Sequence, residues 1–183
     1  MKYNFPSTDR ILGVSAMVIS VLTLIIFIYQ TNIINEQSKL SVRPRLIFGM
    51  IQSTNDSTVI FKQYVQNKGL GPAIINEASI TYEEGKFDLD FTKFVYAKLP
   101  RLGEYGNLLS TTIVSKDGTL LPNEVITMYE IEIPLSKVEG ITKYLNINPD
   151  DVKPNWLFEL EYTSLYEDET WTINDRENKP IKN

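Results

Sequence analysis

Three sets of carboxylates are the side chains in this sequence whose spacing suggests chemistry, and none has an imidazole or a thiolate to work with. The 183 residues include no histidine and no cysteine. That removes the commonest general base, the commonest metal ligand, disulfides, thiolate nucleophiles and zinc–thiolate sites. Asp88 and Asp90 have the oxygen chemistry to hold Mg²⁺ or Ca²⁺. Glu159 and Glu161 offer a pair to Glu130 and Glu132, in the manner of hydrolases that use two carboxylates. Glu167, Asp168 and Glu169 form an acidic run able to chelate a cation. Each set also has a plain structural role open to it. The aspartates stand where a helix needs an N-cap, the glutamates alternate with apolar residues on strand-like segments, and the acidic run falls in a hairpin turn. Titratable residues without convergent hydrogen-bond donors are not a site. The expectation is a non-enzymatic protein with no cofactor and no metal.

A glycine-rich segment, Asn67 to Ala73, raises the question of phosphate binding. A phosphate loop opens a helix, with a lysine and a hydroxyl just after it or with a third glycine. The chain continues here instead as AIINEASITY, a strand-like run. Gly69, Gly71 and Pro72 therefore read as a structural turn, with both glycines in backbone conformations that a side chain disfavours.

The element that positions everything else is Ile11 to Tyr29, nineteen residues without charge or proline. At ~1.5 Å per residue it reaches roughly 28 Å, the length needed to cross a bilayer. A cleaved signal peptide has a shorter apolar centre and a small-residue cleavage site, and a buried soluble helix shows a polar face. The run has neither, so it reads as an uncleaved single-pass anchor whose partner is the lipid bilayer. Gly13, Ala16, Ser20 and Thr23 are spaced three, four and three apart and share one helical stripe, which suits self-association of the helix and a homo-oligomer. Residues 30–42 continue as a helical stalk, stopping near Val42 because Arg43 precedes Pro44. Arg43 and Arg45 are then basic residues at the membrane junction, placed either for lipid headgroups or for a solvated or salt-bridged joint. Lys2 and Arg10 before the span nearly balance Lys39, Arg43 and Arg45 after it, which leaves the side of the soluble domain open.

Beyond the junction the pattern alternates. Leu46, Phe48 and Met50 share a face, as do Val59, Phe61, Gln63 and Val65, with a polar turn at 53–58. Asn55-Asp56-Ser57 matches a glycosylation sequon but reads more simply as that turn. Ile74, Ala78, Ile80 and Tyr82 form a face of the next strand. A short helix comes after it, capped by Asp88 or Asp90, with Phe91, Phe94, Val95 and Leu99 as its apolar stripe. Strands at 108–114 and from Val125 to Ile133 come next, the second with Val125, Thr127, Tyr129, Ile131 and Ile133 alternating against Ile126, Met128, Glu130 and Glu132. A second short helix lies in 135–145, and a final hairpin has Trp156, Phe158, Leu160 and Tyr162 inward, returning with Trp171 and Ile173.

This pattern predicts a mainly β fold, an immunoglobulin-like antiparallel β-sandwich with two short helices, with a distorted barrel as the runner-up. The predicted organisation is a tail at 1–10, the transmembrane helix at 11–29, the stalk at 30–42, the sandwich at 43–175 and a flexible tail at 176–183. Residues 1–40 carry net +1 in a chain of net −5, leaving −6 on the rest, a poor surface for nucleic acid.

The order of the anchor, Ser41-Val42-Arg43-Pro44-Arg45-Leu46, Asn67-x-Gly69-x-Gly71-Pro72-Ala73 and Tyr162-Thr163-Ser164-Leu165-Tyr166 resembles a group of uncharacterised bacterial single-pass membrane proteins. The resemblance covers most of the chain. It implies a small β-rich domain behind an anchor in the bacterial cell membrane, and it brings no activity and no catalytic residues. The functional expectation is a membrane-tethered protein-interaction module whose partner is another membrane or envelope protein. Two alternatives stand beside it: an oligomerising membrane effector, anti-phage or toxin-like, whose helix perturbs the bilayer, and a carboxylate-based metal-dependent enzyme.

Overall fold

The computed structural model describes residues 8–145, 154–167 and 169–183. The chain divides into two compact units, one ending at Ser41 and one running from Val42 to Asn183.

The first unit is a single helix, α1 (Thr8–Ser41), with no buried residue. Its thirty-four residues begin inside the predicted tail and run unbroken through the predicted span and all of the predicted stalk but Val42, ending two residues before the Arg43–Pro44 step that helix geometry excludes. It is long and apolar enough to cross a membrane. Residues 1–7, most of the predicted N-terminal tail, lie outside the described residues.

The second unit is mostly β. Its elements in chain order are β1 (Leu46–Thr54), β2 (Thr58–Asn67), β3 (Ala73–Tyr82), β4 (Gly85–Asp88), α2 (Phe91–Lys98), α3 (Leu102–Tyr105), β5 (Asn107–Thr111), β6 (Thr119–Leu120), β7 (Val125–Pro134), a 3₁₀ turn at Leu135–Lys137, α4 (Val138–Tyr144), β8 (Trp156–Thr163), β9 (Thr170–Asn174) and β10 (Ile181–Lys182). They form two antiparallel sheets, ordered β1-β2-β7-β5 and β10-β9-β8-β3-β4, with β6 also on β3. One core serves both sheets, with Phe48 stacked on Phe158 at 6.4 Å between centroids. Phe91 of α2 sits at its middle, 4.5 Å from Tyr129 on one sheet and 5.9 Å from Phe158 on the other. Of the two candidate caps, Asp88 and Asp90, it is Asp90 that caps α2, its carboxylate accepting from the Lys93 amide at 3.1 Å. The one-turn α3 was not anticipated, and it adds a third α-helix to the expected two. The fifth strand stops at Thr111, short of the expected Val114, because Ile113 bridges to Asp90 beside α2 instead.

Two strands depart from simple alternation. In β3 a bulge between Ile75 and Glu77 puts Ala73 and Ile75 inward on one side and Ile80 inward on the other, so Ile74 is not on the core face assigned to it. In β7 the register shifts where Gln63 faces Tyr129 and Tyr64 faces Thr127. Met128 and Tyr129 are both buried as a result, and Val125 is exposed. An inserted residue reverses every later side chain, which is why strict alternation fails there. The predicted flexible tail at 176–183 is instead tied into the domain. Ile181 and Lys182 pair with Thr172 and Trp171. The Asn178 amide also donates to the Phe48 carbonyl and accepts from the Phe48 amide, both at 2.7 Å.

Candidate functional site: the clasp where the chain enters the domain

The segment after α1 does not hang free of the domain. The Lys68 amide donates to the Arg45 carbonyl at 2.7 Å and the Leu70 amide to the Arg43 carbonyl at 3.1 Å, so residues 43–45 continue the β1–β2 ladder past the end of both strands. Asn67 holds this arrangement together from a fully buried position. Its side-chain oxygen accepts from the Arg45 amide (3.2 Å) and the Gly69 amide (2.9 Å), and its side-chain nitrogen donates to the carbonyls of Gly71 (2.8 Å) and Leu120 (3.0 Å). Its backbone is paired too, the amide donating to Glu124 and the carbonyl accepting from Asn123. One primary amide thus joins the chain's arrival at β1, the β2–β3 loop and the β6–β7 turn, with no hydrogen-bonding capacity left over.

Both glycines of the loop are needed for this approach, for a reason other than the one their spacing suggested. No glycine in the described residues has positive φ. A Cβ at Gly71 would instead fall on the Val42 carbonyl, and one at Gly69 on the backbone of Arg43, Pro44 and Arg45. Pro72, with no amide to donate, stands directly before β3. The two motifs Ser41–Leu46 and Asn67–Ala73 are therefore two sides of one contact.

Arg43 and Arg45 are exposed. The Arg43 guanidinium lies 5.1 Å from the centroid of Trp171 on β9, an arrangement worth about 0.5–1 kcal/mol at an exposed site. Beside it the Tyr162 hydroxyl accepts from the Leu46 amide at 3.4 Å. Burial pushes the Tyr162 phenol above its ordinary value, against the downward pull of that hydrogen bond and the two arginines. No family model, curated protein or solved structure matches the chain.

The carboxylates are not brought together. Glu130 and Glu132 lie on β7 in one sheet, Glu159 and Glu161 on β8 in the other. Glu130 pairs with Lys62 at 3.6 Å. Glu159 shares Lys86 with Glu77, and the Glu77 hydrogen bond raises the Lys86 ammonium above its usual range. Asp90 is occupied with Lys93, whose amide holds the carboxyl below the usual aspartate range. Glu169 binds Lys182 at 2.6 Å, and Asp168, the centre of the predicted acidic run, lies outside the described residues. Among the described residues no three acidic, histidine or cysteine side chains are grouped to hold a metal.

On α1, Gly13, Ala16, Ser20 and Thr23 are all exposed, and a Cβ at Gly13 would meet nothing. The Ser20 and Thr23 hydroxyls donate to the carbonyls of Ala16 and Ile19 on their own helix, each at 2.8 Å. The stripe thus offers close packing and acceptor lone pairs, with both hydroxyl protons already used.

Sequence reasoning missed the roles of Asn67, Trp171 and Asn178. Asn67 had a visible signal, since it begins the glycine motif and a buried asparagine beside a turn is there for its amide. Asn178 had none, because its partner at Phe48 is distant in sequence.

Proposed function

We propose that this chain is a bacterial single-pass membrane protein whose domain is a non-enzymatic interaction module, presented near the bilayer to another protein of a membrane or envelope complex. The observation that carries the reading is α1, a run of large apolar side chains from Ile11 to Tyr29 that no part of the protein buries. Exposed apolar surface of that extent marks a membrane or protein contact rather than a solvated helix. The module is an immunoglobulin-like sandwich in this reading. In its support, the order β1-β2-β7-β5 beside β9-β8-β3 repeats the A-B-E-D and G-F-C order of that fold. The fold by itself assigns no function. What favours interaction over catalysis is that Glu130, Glu159, Asp90 and Glu169, one or more from each candidate carboxylate set, are each paired with a lysine.

The test places a photo-crosslinking residue at exposed positions such as Tyr96 and Leu165 in the full chain, in bacterial membranes. A second chain keeps residues 1–42 and carries an unrelated β-domain. Discrete protein adducts that need the native domain are expected. Adducts identical in the two chains would show the tether alone to be at work, and would end the reading.

A further inference from the structure

The pairing register of β1 divides its backbone into two sets. Residues 43 and 45 bond to the β2–β3 loop, and by the same parity 47, 49, 51 and 53 bond to β2. The even residues therefore turn their N–H and C=O groups to the outer edge of the sheet. The first two are closed off: the Leu46 amide by the Tyr162 hydroxyl, and both groups of Phe48 by the Asn178 amide. Beyond that point the edge is open. Among the described residues the outward backbone groups of Met50, Gln52 and Thr54 take no partner. The stretch Gly49–Thr54 carries no charge and no proline, so it lacks the devices that normally guard an edge strand.

An apolar cavity adjoins this open edge. It has a volume of about 70 Å³ and is lined by Met50 and Phe61 of the hairpin, Ile131 and Ile133 of β7, Ile141 of α4 and Trp156. That exceeds the ~30 Å³ share of a water molecule and falls well short of the ~300–1,000 Å³ of a small-molecule pocket. It is the size of one aliphatic side chain. Among the described residues the indole N–H of Trp156 has no partner. Met50 belongs to both features, with its backbone on the edge and its side chain in the cavity wall.

The geometry points to a binding site for an extended segment of another protein, which adds as a strand to Met50–Thr54 and seats one uncharged, aliphatic side chain in the cavity beside Met50. This rests on the reading of the domain as an interaction module and names its partner's chemistry. Backbone pairing supplies the contact, and a single side-chain pocket sets the register, the division of labour of strand addition. Among the described residues neither the edge nor the cavity lining carries a charge, which selects against a charged side chain at the seated position.

The experiment uses the full chain in nanodiscs and an eight-residue peptide of alternating threonine and valine, with a central leucine and both ends blocked, monitored by fluorescence anisotropy. Saturable binding is expected. N-methylation of one alternate set of peptide amides should weaken it at least tenfold, while methylation of the other set should change it little. Gln52→Pro removes an outward N–H without touching the ladder and should weaken binding tenfold or more. Ile141→Phe, which fills the cavity, should abolish the preference for leucine over glutamate at the centre. No saturable binding, or equal binding of the two methylated peptides to the unaltered chain, overturns the proposal even if a variant fails to fold. Domain-dependent adducts that survive Gln52→Pro in membranes would overturn this edge while leaving the interaction module in place.

Discussion

Asn67 and Gly71 decide whether the domain's first residues are held or loose. Replacing Gly71 with alanine forces the Val42 carbonyl away from the loop, and overpacking of this kind costs ~1–3 kcal/mol. Asn67→Asp should cost as much or more, since it sets a carboxylate against the Gly71 and Leu120 carbonyls in a fully buried place. Thermal unfolding of the full chain in detergent checks both, with Gly103→Ala, where a Cβ meets nothing, as the control. An unshifted melting temperature in Gly71→Ala would show that the contact is not tight. Asp90 gives a prediction in pH. Its carboxyl is held below the usual range by the Lys93 amide, so its contribution is complete above pH ~4 and is lost as pH falls through the lowered value. Asp90→Asn keeps a cap while removing the charge. It should flatten the stability profile below about pH 4, and Asp90→Ala should cost ~1 kcal/mol at neutral pH.

Among the elements, α1 and the bulged strands behave differently from one another. α1 needed only composition and a proline to define it, since a helix satisfies its backbone within itself. Whether it associates depends on a second helix. Leucine at Ala16 and Ser20 should weaken dimerisation in a membrane two-hybrid or crosslinking assay, because a bulky stripe keeps helices apart. Ser15→Leu lies off the stripe and should leave the signal unchanged. Equal signal from all three proteins would make the stripe inert and remove the support for an oligomerising effector. The bulges in β3 and β7 do for the sheets what no local pattern announces. They let Ile75 and Ile80, or Met128 and Tyr129, reach one core from segments whose strict alternation would have put half of them in water.

At the scale of the molecule, every buried apolar side chain among the described residues lies between Pro44 and Ile173 and none on α1. The two units should therefore separate by simple truncation. A chain beginning at Val42 is expected to be soluble and strand-rich by circular dichroism, whereas the full chain should sediment with membranes and need detergent to leave them. Full-length protein in the soluble fraction without detergent would refute the anchor, and a mainly helical spectrum from the truncated chain would refute the β domain.

The features that the residues determined unaided are those resting on neighbours in the chain. These are the apolar run of α1 and its end before Pro44, an aspartate cap on α2 at Asp88 or Asp90, the polar turn at Asn55, whose side chain accepts from the Ser57 and Thr58 amides, and the final hairpin with Trp156 to Tyr162 inward. Those that only the tertiary structure decided are made of distant partners. Ser41–Leu46 and Asn67–Ala73 were legible as motifs but not as two faces of one contact. The Phe48–Asn178 pairing closes half of an edge across 130 residues of sequence, and among the described residues the neighbouring half at Met50–Thr54 stays open. Local propensity acts through a few adjacent residues, while close backbone approach, bulge position and an unpaired edge depend on which strands the whole chain brings side by side.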